Sequence, residues 1–251
     1  MRFASKKLHE HNFKGVISCL YNNTIIKAYM ADKTRLFKRH IALAEKYGVK
    51  NEFYFKCCAD GEKGKTYTCE DPKIHRIIEL VNKHKSIVGF HPSQTTFNND
   101  AQYDTEQNRY MQTFCSDTKK GRNHTLLYNT NTYLQWINCG FDEISNCGFH
   151  KLNGFRAGIG VPFPLFDIYQ RTELPLKEFP FEIMDLAVSK RYSDKMMDAW
   201  EEIAEIIDNA KKYNCTLGIN WHIIVYFSVK RLFQTFSLVE KVLEYALKDK
   251  R

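Results

Sequence analysis

The sequence has little of what a membrane-spanning or secreted protein needs. The apolar stretch over residues 217–225 is interrupted by Asn220 and His222, whereas a helix that crosses a bilayer takes about 20 apolar residues. The first residues, MRFASKKLHEH, lack the apolar core of a secretory signal peptide. These absences predict a protein without a membrane span and favour a cytoplasmic location.

Cysteine spacings typical of a zinc site are also absent. Cys57 and Cys58 are adjacent, and the remaining cysteines of the eight stand alone in separate segments. A cysteine-based zinc site typically has pairs of cysteines two to four residues apart. The cysteines are therefore predicted to be reduced thiols in the core or on the surface.

Positive charge exceeds negative charge, but no single tract concentrates it. The formal net charge is +8, from 37 Lys and Arg against 29 Asp and Glu. No nucleic-acid-binding motif accompanies this charge, so we expect no nucleic-acid partner. A basic scaffold that binds an acidic polymer stays open as an alternative. Hydrophobic residues at 43% and charged residues at 26% are ordinary for a folded globular protein.

Helix and strand patterns alternate along the chain. Residues 34–47 have the apolar spacing of an amphipathic helix and precede a strand over residues 52–56. Pro72 opens a second helix, and a buried strand over residues 86–91 follows it. The alternation continues with predicted helices within 104–116 and over 131–138, and with predicted strands over 124–128 and 143–145.

The pattern changes after residue 148. Four of the six prolines lie within residues 148–180, which predicts a long irregular segment across one end of the fold. A strand over residues 181–188, a helix capped by Ser193, a strand over residues 216–227 and a last helix from Leu232 follow. Strands that alternate with helices predict a mostly parallel sheet, with ligands bound at the C-terminal strand ends.

Four polar residues stand at or beside the predicted strand ends. His91 closes one strand, His124 begins the next, His222 lies in the strand over 216–227, and Arg156 starts the irregular segment. Each histidine alone is also explained as a core or loop residue. Together they are expected to converge within about 10 Å. Imidazoles from separate strands suit zinc, and an arginine beside them stabilises negative charge.

Five segments resemble, in order, the motifs of the polysaccharide-deacetylase-like proteins, which are related to NodB-type carbohydrate esterases. The resemblance predicts one distorted (β/α) barrel over residues 34–251, with residues 1–33 unassigned. It implies hydrolysis of N-acetyl or O-acetyl groups on a carbohydrate with the help of a divalent metal, zinc. The segments are GFHPS (89–93), RNHTLLYN (122–129), GFRAGIGVPFPLFD (154–167), FPFEIMD (179–185) and NWHIIVYF (220–227).

The resemblance also implies roles for individual residues. His91 matches the metal-histidine motif, and His124 is implied as a second metal or substrate contact. Arg156 and His222 match the catalytic arginine and the late catalytic histidine, and Asp185 would orient one of them. The aromatic candidates for sugar contact are equally explained by core packing. The candidates for sugar contact are Ser93, Phe155, Trp221 and Tyr226.

One part of the family's site is missing from the sequence. The family begins with a strand that ends in an Asp-rich motif, which supplies a metal ligand and the catalytic base. Nothing similar stands before Thr34, and the strand-like residues 13–20 end without a carboxylate. We therefore expect a barrel that is incomplete at its N-terminus, in a truncated or naturally altered family member. A metal-dependent deacetylase, weakened or inactive, and a non-catalytic carbohydrate-binding homologue are the two leading hypotheses.

Overall fold

The computed structural model describes residues 34–58, 67–114, 117–193, 195–223 and 229–248, together with Thr24 and Asp32. The helices in these residues are α1 (Thr34–Tyr47), α2 (Pro72–Lys83), α3 (Asp100–Phe114), α4 (Thr130–Asn138), α5 (Asp185–Tyr192), α6 (Trp200–Lys212) and α7 (Val229–Leu247). The strands are β1 (Glu52–Phe55), β2 (Ile87–Phe90), β3 (Lys120–Gly121), β4 (Glu143–Ile144), β5 (Phe163–Asp167), β6 (Thr172–Glu178), β7 (Ile183–Met184) and β8 (Ile219–Asn220).

The strands form a mostly parallel arrangement, as the alternating pattern predicted. Six of them follow the order β1-β2-β3-β4-β6-β5, and β7 pairs with β8. Every pairing is parallel except that of β5 with β6. The predicted α/β class is confirmed. A closed barrel is not confirmed, because the pairings between described strands form two sheets and no closed one.

Local sequence signals explain where the well-predicted helices begin. The Asp71 side chain accepts a hydrogen bond of 2.9 Å from the Lys73 backbone N–H, and Pro72 is the first residue of α2. At α4, Asn129 and Thr132 form a reciprocal capping box. Such caps satisfy backbone N–H groups that the first helical turn leaves without partners.

The two faces of the main sheet have different chemistry. On one face, side chains from neighbouring strands are buried in the large apolar cluster beneath the helices. Phe53 of β1, Phe90 of β2 and Ile144 of β4 are examples. The opposite face is polar, since the Lys120 ammonium lies 3.0 Å from a Glu52 carboxylate oxygen and 2.5 Å from one of Glu143. Side chains on strands alternate between faces, so the polar set lines the inner side of the curved sheet.

The Arg122 side chain crosses this inner side and joins several strands. Its guanidinium donates to Ser145 O at 2.9 Å and to Ser145 Oγ at 2.7 Å, just beyond β4. It also donates to Asn220 Oδ1 in β8 at 2.8 Å. The guanidinium carbon lies 4.5 Å from the Tyr54 ring centroid and 5.0 Å from that of Phe181. The sheets therefore curl enough for β1, β4 and β8 to face one cation.

The first and last of these helices also pack together. Leu36 of α1 and Phe236 of α7 are buried in one cluster. At the edge of this contact, Lys46 donates to Glu240 at 2.7 Å and Tyr47 donates to Glu244 at 2.8 Å. Helix α7 thus covers the side of the fold where the strand order begins.

Four sequence predictions of secondary structure are wrong. Ser193 does not cap the start of a helix, because it follows α5 at its C-terminal end and α6 begins at Trp200. The segment over 124–128 holds a short 3-10 turn, His124–Leu126, in which Thr125 and Leu126 have φ of 58° and 56°. Residues 148–180 contain the β5–β6 hairpin. The predicted strand over 181–188 stops at Met184, and helix α5 follows it directly.

Some predictions fall outside the described residues. The strand predicted over 13–20, the domain boundary at residue 33 and Tyr226 lie there, as does the end of the strand predicted over 216–227. None of the helices in the described part of the chain is long and apolar enough to cross a bilayer.

Replacing Arg122 by methionine is expected to destabilise the fold by about 2–4 kcal/mol, because it removes three hydrogen bonds and leaves buried acceptors unpaired. Urea unfolding followed by circular dichroism measures this loss. Arg191→Met is the matched control, because Arg191 pairs with Glu202 at the surface, where an ion pair contributes about 1 kcal/mol or less. Equal losses in the two variants would contradict the role given to Arg122.

Candidate active site

The candidate site lies at the C-terminal ends of β1, β2, β3, β7 and β8, a region that we call the mouth. His91 follows β2 and donates from Nδ1 to the backbone carbonyl of Arg122 at 2.5 Å. Because the carbonyl only accepts, Nε2 of His91 carries the lone pair. Burial and then the nearby charge of His124 hold the pKa of His91 well below its usual value. His91 is therefore a neutral imidazole whose orientation is fixed.

His124 and Lys56 stand beside His91. The His91 and His124 ring centroids are 5.4 Å apart at an angle of 74°. Lys56 directly follows β1, and its ammonium lies 3.2 Å from Nδ1 and 3.0 Å from Nε2 of His124. The ends of three neighbouring strands thus bring two imidazoles and one ammonium together.

Asp185 and His222 form a second pair at the mouth. Asp185 directly follows β7, is buried, and accepts the His222 backbone N–H at 2.9 Å. Its other oxygen lies 2.7 Å from His222 Nδ1. The carboxylate holds the proton on Nδ1 and leaves Nε2 for other partners, on a side chain that is 33% exposed. A fixed imidazole of this kind can carry a proton to or from a ligand.

Arg122 links the two pairs, whereas the contacts of Arg156 are with other residues. The Arg122 carbonyl holds His91 and its guanidinium holds Asn220, two residues before His222. Arg156 is exposed, donates to Gly148 O at 2.9 Å, and has its guanidinium 5.4 Å from the Tyr128 ring centroid. Convergence of His91, His124, Arg156 and His222 within about 10 Å stays a prediction.

The predicted sugar-contacting residues have structural partners. Ser93 is buried and donates from Oγ at 2.5 Å and from its backbone N–H at 2.8 Å to the Glu106 carboxylate. Phe155 and Trp221 are partly buried and pack against the apolar cluster of α6 and α7. The Trp221 indole N–H is buried without a hydrogen-bond partner among the described residues. Sugar contact by these residues stays a prediction.

Sequence reasoning missed Lys56 and Arg122. Lys56 was the last residue of a predicted strand, in the same position relative to its strand as His91 to the next. Ligands bind at the C-terminal ends of parallel strands. If every polar side chain at these ends is considered, and not histidine alone, Lys56 becomes a candidate. Arg122 lacks such a signal, because its role depends on Ser145 and Asn220, which are distant in sequence.

A solved structure with a similar fold supports the resemblance seen in the sequence. It is that of a Mycobacterium smegmatis protein provisionally described as a polysaccharide deacetylase. It matches 99% of this chain and 86% of its own, with a TM-score of 0.54 and 11% sequence identity. This chain has the polysaccharide-deacetylase-like fold.

Another structural match to this deacetylase-like protein is weaker. A Bordetella bronchiseptica protein provisionally described as a polysaccharide deacetylase involved in O-antigen biosynthesis has a TM-score of 0.44 and 12% identity, over 84% of this chain and 78% of its own. Neither a protein-family model nor a curated protein matches the sequence.

A divalent metal is the cofactor that the deacetylase resemblance implies. Among the described residues, no group of three His, Cys, Asp or Glu side chains is placed to hold a metal ion. Among the described residues, the Lys56 ammonium stands beside His124, and an ammonium has no lone pair to donate to a metal. The described residues of the mouth therefore do not fit a zinc ion, and zinc binding stays a prediction.

A buried carboxylate lies at the end of β6. Glu178 accepts the backbone N–H groups of Asn146 and Cys147 at 2.7 and 2.8 Å. Burial raises its pKa from 4.5 to about 7, although these hydrogen bonds and the charges of Arg122 and Arg156 act in the opposite direction. Glu178 is thus largely protonated in the folded protein at mildly acidic pH.

Glu178→Gln is expected to change how stability depends on pH. A carboxyl group whose pKa is raised on folding stabilises the fold below pH 4.5, and this contribution is lost as the pH rises to about 7. Glutamine never ionises, so relative to the unmodified chain the variant should gain about 1–3 kcal/mol between pH 5 and pH 7.5. Urea unfolding at both pH values measures this gain.

The matched control for this experiment is Glu173→Gln, at an exposed position of the same strand. Its stability relative to the unmodified chain should change little between the two pH values. A Glu178→Gln variant that behaves like Glu173→Gln would contradict the assignment of a raised pKa to Glu178.

Proposed function

We propose that this deacetylase-like protein binds an N-acetylated carbohydrate at the mouth and hydrolyses the acetyl group slowly at most. The observation that carries this proposal is the Asp185–His222 pair, which fixes one imidazole at the C-terminal strand ends. In parallel α/β folds, ligands bind at this end of the strands. The fold is that of a protein described as a polysaccharide deacetylase.

His222 has the geometry of a proton-transfer group. Removal of an acetyl group from an amine requires a proton on the departing nitrogen, and a protonated imidazole supplies it from Nε2. The buried Asp185 carboxylate accepts a hydrogen bond from Nδ1, so Nδ1 keeps its proton while Nε2 faces the ligand. Positioned acids and bases of this kind contribute about 10²–10⁴ in rate. Arg156, an exposed residue, would stabilise negative charge on the ligand.

We propose slow hydrolysis because no base that would deprotonate water is placed at His91 and His124 among the described residues. Attack on the acetyl carbonyl needs a base or a metal to deprotonate the attacking water. In the described residues, the side chains at His91 and His124 include Lys56 and no carboxylate that hydrogen-bonds to either ring. The loss of a general base typically costs about 10²–10⁴ in rate.

A metal-dependent deacetylase that hydrolyses N-acetyl or O-acetyl groups is the second candidate function. The neighbouring imidazoles of His91 and His124 favour it, because neutral imidazoles are common zinc ligands. It requires a metal ion that binds close to the Lys56 ammonium, which lies 3.0 Å from Nε2 and 3.2 Å from Nδ1 of His124. The two candidates differ in whether added metal produces turnover.

Binding and turnover of an N-acetylglucosamine oligosaccharide separate the two candidates. Calorimetry should show saturable binding to the unmodified chain, and His222→Gln should weaken it about tenfold, since a lost hydrogen bond to a ligand is worth about 1 kcal/mol or more. His75→Gln, at an exposed position of α2, should bind like the unmodified chain. Acetate release with added Zn²⁺ or Co²⁺ should stay near the background rate.

Two outcomes would overturn the proposal. If the unmodified, folded chain shows no saturable binding, the protein does not have the proposed carbohydrate ligand. Robust acetate release with metal, abolished by both His91→Ala and His222→Ala, would establish the metal-dependent deacetylase in its place.

A further inference from the structure

We propose that Lys56 is a built-in cation of the mouth, which disfavours a divalent metal at the His91–His124 pair and holds an oxygen atom of the ligand. The choice of ligand rests on the proposed function, whereas the displacement of metal does not. The juxtaposition of the Lys56 ammonium with both ring nitrogens of His124, beside the ring of His91, carries the inference.

The geometry places any metal on His124 close to the ammonium. Lys56 Nζ is 3.2 Å from Nδ1 and 3.0 Å from Nε2, and a zinc–imidazole bond is about 2.0–2.1 Å long. A zinc ion on either nitrogen would therefore lie no more than about 5 Å from the ammonium if Lys56 did not move. Two like charges at this separation repel each other strongly in a partly buried site.

The backbone holds Lys56 in this position. Its N–H donates to the Tyr67 hydroxyl at 2.7 Å, and its carbonyl oxygen lies 3.8 Å from the Cys69 thiol, which donates to it. Cys69 is buried. These contacts anchor the residue directly after β1, so the side chain starts from a fixed point at the mouth.

The chemistry of an ammonium group explains what Lys56 would do there. It has three N–H donors and no acceptor, so it is suited to a carbonyl or hydroxyl oxygen of a ligand beside His124. A metal ion would instead deprotonate bound water. Lys56 therefore supplies positive charge for binding an acetyl oxygen, and it leaves water activation to another group.

The test measures metal affinity without any sugar. Lys56→Met and Lys56→Gln each remove the charge and keep an unbranched side chain. Cobalt(II) titration, followed by visible absorption and calorimetry, should show at least tenfold tighter binding to these variants than to the unmodified chain. Adding His91→Ala to Lys56→Met should abolish that gain. Lys73→Met, at an exposed position of α2, should leave cobalt affinity unchanged.

Circular dichroism confirms that each variant is folded, and either Lys56 variant suffices if the other fails to fold. The inference is overturned if neither variant gains cobalt affinity, or if the unmodified chain binds one cobalt ion as tightly as they do and loses it on His91→Ala. Sugar binding is measured in a separate experiment. If the protein binds no sugar, the cobalt titration still tests whether Lys56 disfavours a metal.

Discussion

The guanidinium of Arg122 is the contact on which the geometry of the mouth depends. It holds Ser145 beyond β4 and Asn220 in β8, while the carbonyl of the same residue fixes the His91 ring. A partly buried cation loses part of its hydration, and hydrogen bonds and aromatic faces compensate for that loss. Here the ring of Tyr54 supplies one such face. Arg122 thereby fixes the His91 ring directly and holds Asn220, two residues before His222.

Space for this arrangement comes from a glycine on the neighbouring strand. A Cβ atom at Gly89 would lie 2.6 Å from the Tyr54 ring, closer than nonbonded atoms approach, so a larger residue would displace the aromatic face beneath Arg122. Below this layer, Lys120 balances Glu52 and Glu143. The inner side of the sheet is thus a paired polar network, and the apolar core lies on its outer side under the helices.

The sequence predicted the elements that local signals determine. Helices α1, α2 and α4 follow from apolar spacing and caps, and the fold class follows from their alternation with strands. The errors arise where tertiary structure overrides local preference. Prolines suggested an irregular segment, yet Pro164 fits an edge strand that pairs on one side only. Motif reasoning placed His91, His124 and His222 at strand ends, but a lysine at a strand end belongs to no motif.

On the proposed function, the two halves of the mouth would support different parts of one reaction. Asp185 and His222 form the geometry needed to protonate a departing group. Lys56 beside His124 supplies a charge that attracts an oxygen atom, but a single ammonium does not activate water as a divalent metal does. Recognition of an acetyl group requires only the charge and its placement, whereas hydrolysis also requires the activated water. On the proposed function, the described residues of this site therefore favour binding over turnover, because positive charge alone does not activate water.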